Sequence, residues 1–427
     1  MIVFGVITLL VVVGVLVILN IRDNPKKGPP VALSFWGFDE PEVFKSVIEG
    51  YQKFRPNVTV SYKKIAEDSY DQILLEALAS GQGPDVLPIL DRSLSRMKSK
   101  LQPVSATLFP ITKFRIAFPR VAETDFIDST GAIYAFPLYM DTLALIYSRD
   151  FFDQAGIVYP PKTWTEFQDD VQILKKVSQI GQIERAGAAI GGSKRTISAA
   201  SDVVQLLMMQ SETTMVEPNG VAAGFANENR DTKENPGLAA FNFYLQFSNP
   251  RSTFYTWNDT LASANTAFSS DEVAMIFGYR NDLDQIKKAN PFSSFGVAPI
   301  PQIDGATKNV DIASYSGLAV SKQSKVGSWA WDFIAYITTD KNAVGAYLAA
   351  TGRLPALLPL IEEKKDDVQN GVFVRQALTA RSWRQPDERK VDEIFSNSIY
   401  KVLIGQLDSE TALIQAEDQI SALLRKK

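Results

Sequence analysis

Between residues 31 and 90, strand-like apolar runs alternate with helical patterns, and this confines the chain to an α/β fold with parallel strands. Residues 31–36 are an apolar run. Asp39 then stands where a helix cap belongs, with Pro41 in the first turn. The predicted helix carries Val43, Phe44, Val47, Ile48, Tyr51 and Phe54 at helical spacing. Pro56-Asn57 turns the chain into an alternating strand at 58–62. A second helix, with Tyr70, Ile73, Leu74, Ala77 and Leu78 on one face, stops at Gly81, and 85–90 is a third strand. Parallel strands place a ligand crevice beyond their carboxyl ends. Those ends carry Trp36-Gly37-Phe38 and the pair Asp91-Arg92. An aromatic face, an acceptor and a planar donor suit a sugar, with a ring for stacking and polar groups for hydroxyls. The same residues also fit a core tryptophan beside a surface ion pair.

The chain has 427 residues, more than one hydrophobic core usually supports, so two lobes are expected. A net charge of −4 argues against a nucleic-acid surface. There is no cysteine and no histidine. Disulfides, thiolate nucleophiles and thiolate metal sites are thereby excluded, together with the commonest general base. No cofactor and no metal is expected.

Residues 1–21 are almost wholly Val, Ile, Leu and Gly, with only Thr8 and Asn20 polar. This run is long enough to span a bilayer. No small-residue cleavage site follows, so a retained anchor is preferred over a signal peptide. Arg22, Lys26 and Lys27 flank its far side, which by the positive-inside rule alone would leave the main domain in the cytoplasm. That rule weakens for long translocated domains. Residues 22–30, with three prolines and Gly28, form a linker.

Farther along, 133–139 and 142–147 are predicted strands interrupted by Pro137 and Asp141. Thr163-Trp164-Thr165-Glu166 is a capping box, in which Trp164 serves packing. Residues 186–190 and 297–300 are short predicted strands, 329–337 an amphipathic helix, and the chain closes on a helix bearing Leu413, Ala416, Ile420, Leu423 and Leu424. Catalytic patterns fail. Gly187 and Gly192 have P-loop spacing, but Ser193-Lys194 reverses the required Lys-Ser order. The Ser-x-x-Lys occurrences at Ser61/Lys64 and Ser95/Lys98 lack their partner motifs. Adjacent acids such as Asp169/Asp170 and Asp366/Asp367 mean little among 48 carboxylates.

Several segments resemble, in order, the bacterial family 1 extracellular solute-binding proteins. They are 51–60 (YQKFRPNVTV), 78–86 (LASGQGPDV), 131–137 (GAIYAFP) with 143–147 and 160–164, then 267–268, 274–275, 297–301 (VAPIP) and 351–355 (TGRLP). The likeness runs from about Val31 to the C-terminus. It implies a two-lobed, periplasmic-binding-protein-like α/β fold of type II with ligand held between the lobes. By that likeness 31–142 and 299–350 form lobe 1, and 143–298 and 351–427 form lobe 2. The chain would cross near 139–142, 297–301 and 349–353. Asp91-Arg92 is similar to the sugar-contacting acid–arginine pair of maltodextrin-binding relatives, and Asp141 to their hinge carboxylate. Tyr279-Arg280 falls at their aromatic stacking position, in a different order. Ser316-Gly317 and Trp383 lie in segments that face the cleft in relatives.

The expectation is therefore a passive, monomeric receptor on the outer side of the cell membrane, anchored by a single span. It would close on an oligosaccharide and dock on an ABC permease. Trp36, Trp383 and Tyr279 would offer stacking faces, while Asp91, Arg92 and Asp141 hold hydroxyls. The alternatives are a glycan-acting enzyme and a module for a peptide, polyamine or other non-sugar solute, which many acids and few aromatics in the cleft would favour.

Overall fold

The computed structural model describes residues 28–228 and 233–425. The expected anchor and all but the end of the linker lie outside these residues. Among the described residues no helix is long and apolar enough to cross a membrane.

The N-terminal unit forms as its pattern requires: β1 (Val31–Gly37), α1 (Pro41–Phe54), β2 (Val58–Lys64), α2 (Tyr70–Ala79) and β3 (Val86–Leu90). β1 lies between β2 and β3, parallel to both. Strand Ser316–Ser321 returns antiparallel on β3, pairing Ser316 with Leu90 and Val320 with Val86. Leu101–Gln102 and Phe136–Pro137 complete this first sheet on the other side of that strand. Its core is aromatic. Phe35 meets Phe44 and Tyr62 at 4.9 Å and Phe333 of helix Gly327–Thr339 at 5.5 Å, edge to face. The cap of α1 differs from expectation. Glu40 occupies the N-cap without a side-chain bond, because the Asp39 carboxylate is held elsewhere, by Arg353 and Tyr347.

The second sheet is antiparallel, with Ala144–Ser148 between Met275–Gly278 and Phe295–Ala298. Residues 186–190, a strand by their apolar run, pair with the sheet only through bridges at Ala186 and Ala189, since the Gly187 N–H is taken by the Thr256 hydroxyl at 2.7 Å. The capping box at Thr163/Glu166 is present, and Trp164 is buried with its indole N–H donating to Gln210. C-terminal helices Glu388–Leu403 and Ser409–Arg425 pack on each other, and the first also packs on helix Ala200–Gln210. Ser193 ends in a turn bound by Asp259 rather than at a helix start, so the P-loop-like spacing has no phosphate cradle.

Three stretches of chain join the two sheets, and they are hydrogen-bonded to one another. The Met140 N–H donates to the Leu354 carbonyl, and the Leu143 N–H to that of Ile312. Asp141–Thr142 pairs with Asp311–Ser314, which also pairs with Ala380–Arg381. The strands expected at 133–139 and 142–147 thus shrink to short pairs at Phe136–Pro137 and Asp141–Thr142 plus the longer Ala144–Ser148. A chain leaving one sheet for another cannot keep a single continuous ladder. Helix Lys341–Thr351 stops at Gly352, whose φ of +68° is the left-handed turn that glycine adopts without strain.

Candidate functional site

A cavity of about 680 Å³ opens where the three connections meet, lined by both sheet units and by the connections themselves. This is within the range of roughly 300–1,000 Å³ usual for small-molecule sites. Its floor is a bonded group drawn from distant parts of the chain. Asp39, just after β1, accepts from the Arg353 guanidinium at 2.9 Å and from the Tyr347 hydroxyl at 2.9 Å. The same guanidinium lies 3.9 Å over the Tyr139 ring. Cation–π contact and ion pair together lock the first and third connections to the end of β1.

Asp141 lines the same cavity. Its carboxylate accepts from the backbone N–H of Thr142 at 2.8 Å and of Arg280 at 2.9 Å, the latter at the start of helix Arg280–Ala289. Burial pushes this carboxyl up to about 7, against the opposing pull of those N–H groups. The contact ties the hinge strand to the second unit. Arg280 reaches Asn370 at 2.7 Å and Asp284 at 2.8 Å, fixing its side chain along the wall. Tyr279 lines the cavity as well, with its ring in the wall and its hydroxyl donating to Asp202 at 2.8 Å.

Asp202 is the link across the cleft. It also receives Arg92 at 3.3 Å, and Arg92 donates to Asp91 at 2.8 Å. The chain Asp91–Arg92–Asp202–Tyr279 therefore runs from the end of β3 to the second unit. Arg92 has φ +60°, a left-handed backbone that non-glycine residues hold only when their surroundings enforce it, as at binding sites. Burial raises the Asp91 carboxyl, and the adjacent Arg92 opposes that rise. On the other side of Arg92 lies a smaller cavity of about 200 Å³, which Arg384 and Asp125 also line. Asp125 accepts from Tyr315 and Ser382, each at 2.5 Å, and its carboxyl too is raised by burial, to about 6.

Of the residues singled out from sequence, Asp141, Tyr279 and Arg280 line the large cavity, and Asp91 and Arg92 connect to it through Asp202. The other four do not line it. Trp36 is buried within β1, with the Lys63 ammonium 5.0 Å from its ring. Phe38, two residues on, is the aromatic that lines the cavity from β1. Ser316 and Gly317 sit inside the first sheet, between β3 and Phe136–Pro137. A Cβ on Gly317 would come within 2.6 Å of the Phe126 ring, so the glycine is there for packing. Trp383 donates its indole N–H to Gln205 at 2.8 Å and borders a separate open groove. Sequence reasoning misses Asp39, Tyr139, Asp202 and Arg353 as site residues. Two of these carry a signal: Asp39 follows a parallel strand by two residues, and Arg353 lies inside the family-like TGRLP segment.

Two sheet units joined by three bonded connections, with a cavity between them lined by charged and aromatic side chains from both, define a two-lobed binding protein. The chain belongs to the bacterial extracellular solute-binding protein family, whose model matches residues 37–344. It is a solute-binding protein and not an enzyme. It is 23% identical over 404 residues to a binding protein of Brucella abortus (strain 2308), covering 90% of each chain. It is 23% identical over 353 residues to the maltotriose-binding protein of Pyrococcus abyssi (strain GE5 / Orsay), covering 78% of this chain and 68% of that one. In structure it resembles the sugar-binding protein MalE of Xanthomonas citri, with a TM-score of 0.76, 18% identity, and 93% of this chain and 98% of that chain covered. That likeness carries the two-lobed periplasmic-binding-protein fold.

Proposed function

We propose that this protein is the extracytoplasmic binding component of an ABC importer and captures an oligosaccharide in the 680 Å³ cavity by closure of its lobes. The observation that carries the reading is the cross-cleft chain Asp91–Arg92–Asp202–Tyr279 beside that cavity. Contacts supplied by both lobes are what allow a ligand to favour the closed form over the open one. Asp141, Tyr279 and Arg280 are the proposed ligand contacts, joined by Phe38 and Tyr139 as apolar faces, and Asp91 and Arg92 act on the site through Asp202, which holds Tyr279. Trp36, Ser316, Gly317 and Trp383 lie outside the lining of this cavity and serve packing. The lobes comprise 31–142 with 299–350 and 143–298 with 351–427, bending at the three connections. The apolar run at 1–21 supports retention at the membrane by a single span. Relatives that carry sugar-binding names support the ligand class.

The test is a thermal-shift and calorimetric screen of the full-length protein against neutral oligosaccharides. A true ligand at 100 times its Kd stabilises the folded form by about 2.7 kcal/mol. Absence of any shift across the panel would defeat the sugar reading. A cationic solute is the second reading, carried by the six carboxylates that line the cavity against three aromatic rings. Spermidine in the same screen separates the two.

A further inference from the structure

The charges around the cavity are unevenly satisfied. Three cations line it, and each already has a charge or hydrogen-bond partner: Lys64 pairs with Glu40, Arg353 with Asp39, and Arg280 with Asp284 and Asn370, although the Arg280 Nη1 itself makes no hydrogen bond. Of the six carboxylates, the other three, Glu67, Asp141 and Asp282, have no cationic side chain in contact among the described residues. Asp141 and Asp282 are held by neutral N–H donors, Asp282 through Tyr279 at 2.7 Å and Asn265 at 2.7 Å. Glu67 comes from the first lobe, while Asp141 of the hinge and Asp282 of the second lobe meet at the start of helix Arg280–Ala289. A carboxylate on a ligand would therefore meet like charge from both lobes and find no guanidinium or ammonium whose charge is unpaired. It could gain a cation only by breaking an existing pair.

Building on the sugar reading above, we propose that the site selects by charge: it takes neutral and amino sugars and rejects uronate-containing ones. Hydroxyls can donate to the three carboxylates and accept from the engaged cations without displacing either. An ammonium gains further, since it supplies the charge these carboxylates lack. A uronate loses the hydroxyl donor and brings a repulsive charge, and like-charge placement of this kind is a recognised device for excluding wrong partners.

The experiment titrates the full-length protein by calorimetry at pH 8.5, above the raised Asp141 carboxyl, with matched trisaccharides, run for maltotriose, cellotriose and mannotriose. Each is offered as the neutral sugar, as its 6-amino-6-deoxy form and as its 6-carboxylate at the terminal unit. For the sugar that binds, the carboxylate form should bind about tenfold or more weakly, and the amino form at least as tightly as the neutral one. The Glu67 side chain is exposed and makes no side-chain bond to the described residues, so Glu67→Gln removes charge without removing a fold contact. That variant should narrow the gap between neutral and acidic forms severalfold. A uronate form that binds as tightly as its neutral parent overturns the proposal, as does a gap that Glu67→Gln leaves unchanged. Silence from every sugar in all three forms instead removes the sugar reading, and the charge selection with it.

Discussion

The lobes also meet outside the cavity, and that contact allows closure to be perturbed without touching the ligand. Arg96, in the short helix Leu94–Met97 of the first lobe, pairs with Asp71 of α2 at 3.0 Å and with Glu388 at 3.1 Å. Glu388 opens a helix that packs on the second lobe, and its neighbour Arg389 reaches back to Asp71 at 3.1 Å. None of the four residues lines the large cavity. The Arg96 and Glu388 side chains are 24% and 10% exposed, which places their pair between the exposed class, worth up to about 1 kcal/mol, and the fully buried class, where loss of a partner costs about 3–5 kcal/mol. Glu388→Gln should therefore weaken closure by about 1–2 kcal/mol, or roughly 5–30-fold in the closing equilibrium. Where the closed form is the minor one, the apparent Kd rises by that same factor. Fluorescence energy transfer between labels on the two lobes reads the equilibrium, and calorimetry with the bound sugar reads the affinity. Added salt should shift the parent toward the open form and move the variant less. An unchanged transfer efficiency together with a Kd within twofold of the parent would refute the argument. So would a lower melting temperature without any change in lobe distance, because the pair would then be only a fold contact.

Arg353→Met should leave Asp39 with Tyr347 alone, cost about 1–3 kcal/mol by chemical denaturation, and loosen binding, because the floor of the cavity loses both its ion pair and its cation–π contact. Gly317→Ala should destabilise by about 1–3 kcal/mol through the clash with Phe126, yet leave sugar affinity within twofold in the fraction that folds. Asp170 is buried in helix Trp164–Leu174, and burial, with Glu166 and Asp169 adding to it, pushes its carboxyl up to about 7. The folded form then binds this proton more strongly than the unfolded chain does. Stability is lost as pH rises from about 4 through 7, and Asp170→Asn should recover on the order of 1–2 kcal/mol at pH 8 and almost nothing at pH 4 in thermal melts. A gain of equal size at both pH values would refute the ionisation argument.

Elements whose pattern is local are readable in the amino-acid sequence itself. The alternation from β1 to β3, the capping box at Thr163 and Glu166, the packing role of Trp164 and the closing helix all depend on residues within a turn or two of each other. The short strands at the lobe junction are less legible. Their length is set by where the chain must leave one sheet for the other, and no residue within them announces that. Trp36 shows the limit most sharply. Its place near the end of a parallel strand is as the pattern predicts, but it is buried within the strand, and the lining role falls to Phe38, just past the strand's end, where the chain leaves the sheet.

Sequence alone determined that this chain would be an α/β protein of two lobes without thiol or imidazole chemistry, because composition and periodicity are properties of the chain as written. It also marked Asp91, Arg92, Asp141, Tyr279 and Arg280, through order and spacing of recognisable segments. Only the tertiary structure decided what those residues meet. Arg92 finds Asp202 across 110 positions, and Asp39 finds Arg353 across 314. Such pairs form because two lobes pack with one particular offset. That offset is the sum of many apolar contacts in both cores, and no single segment of sequence encodes it.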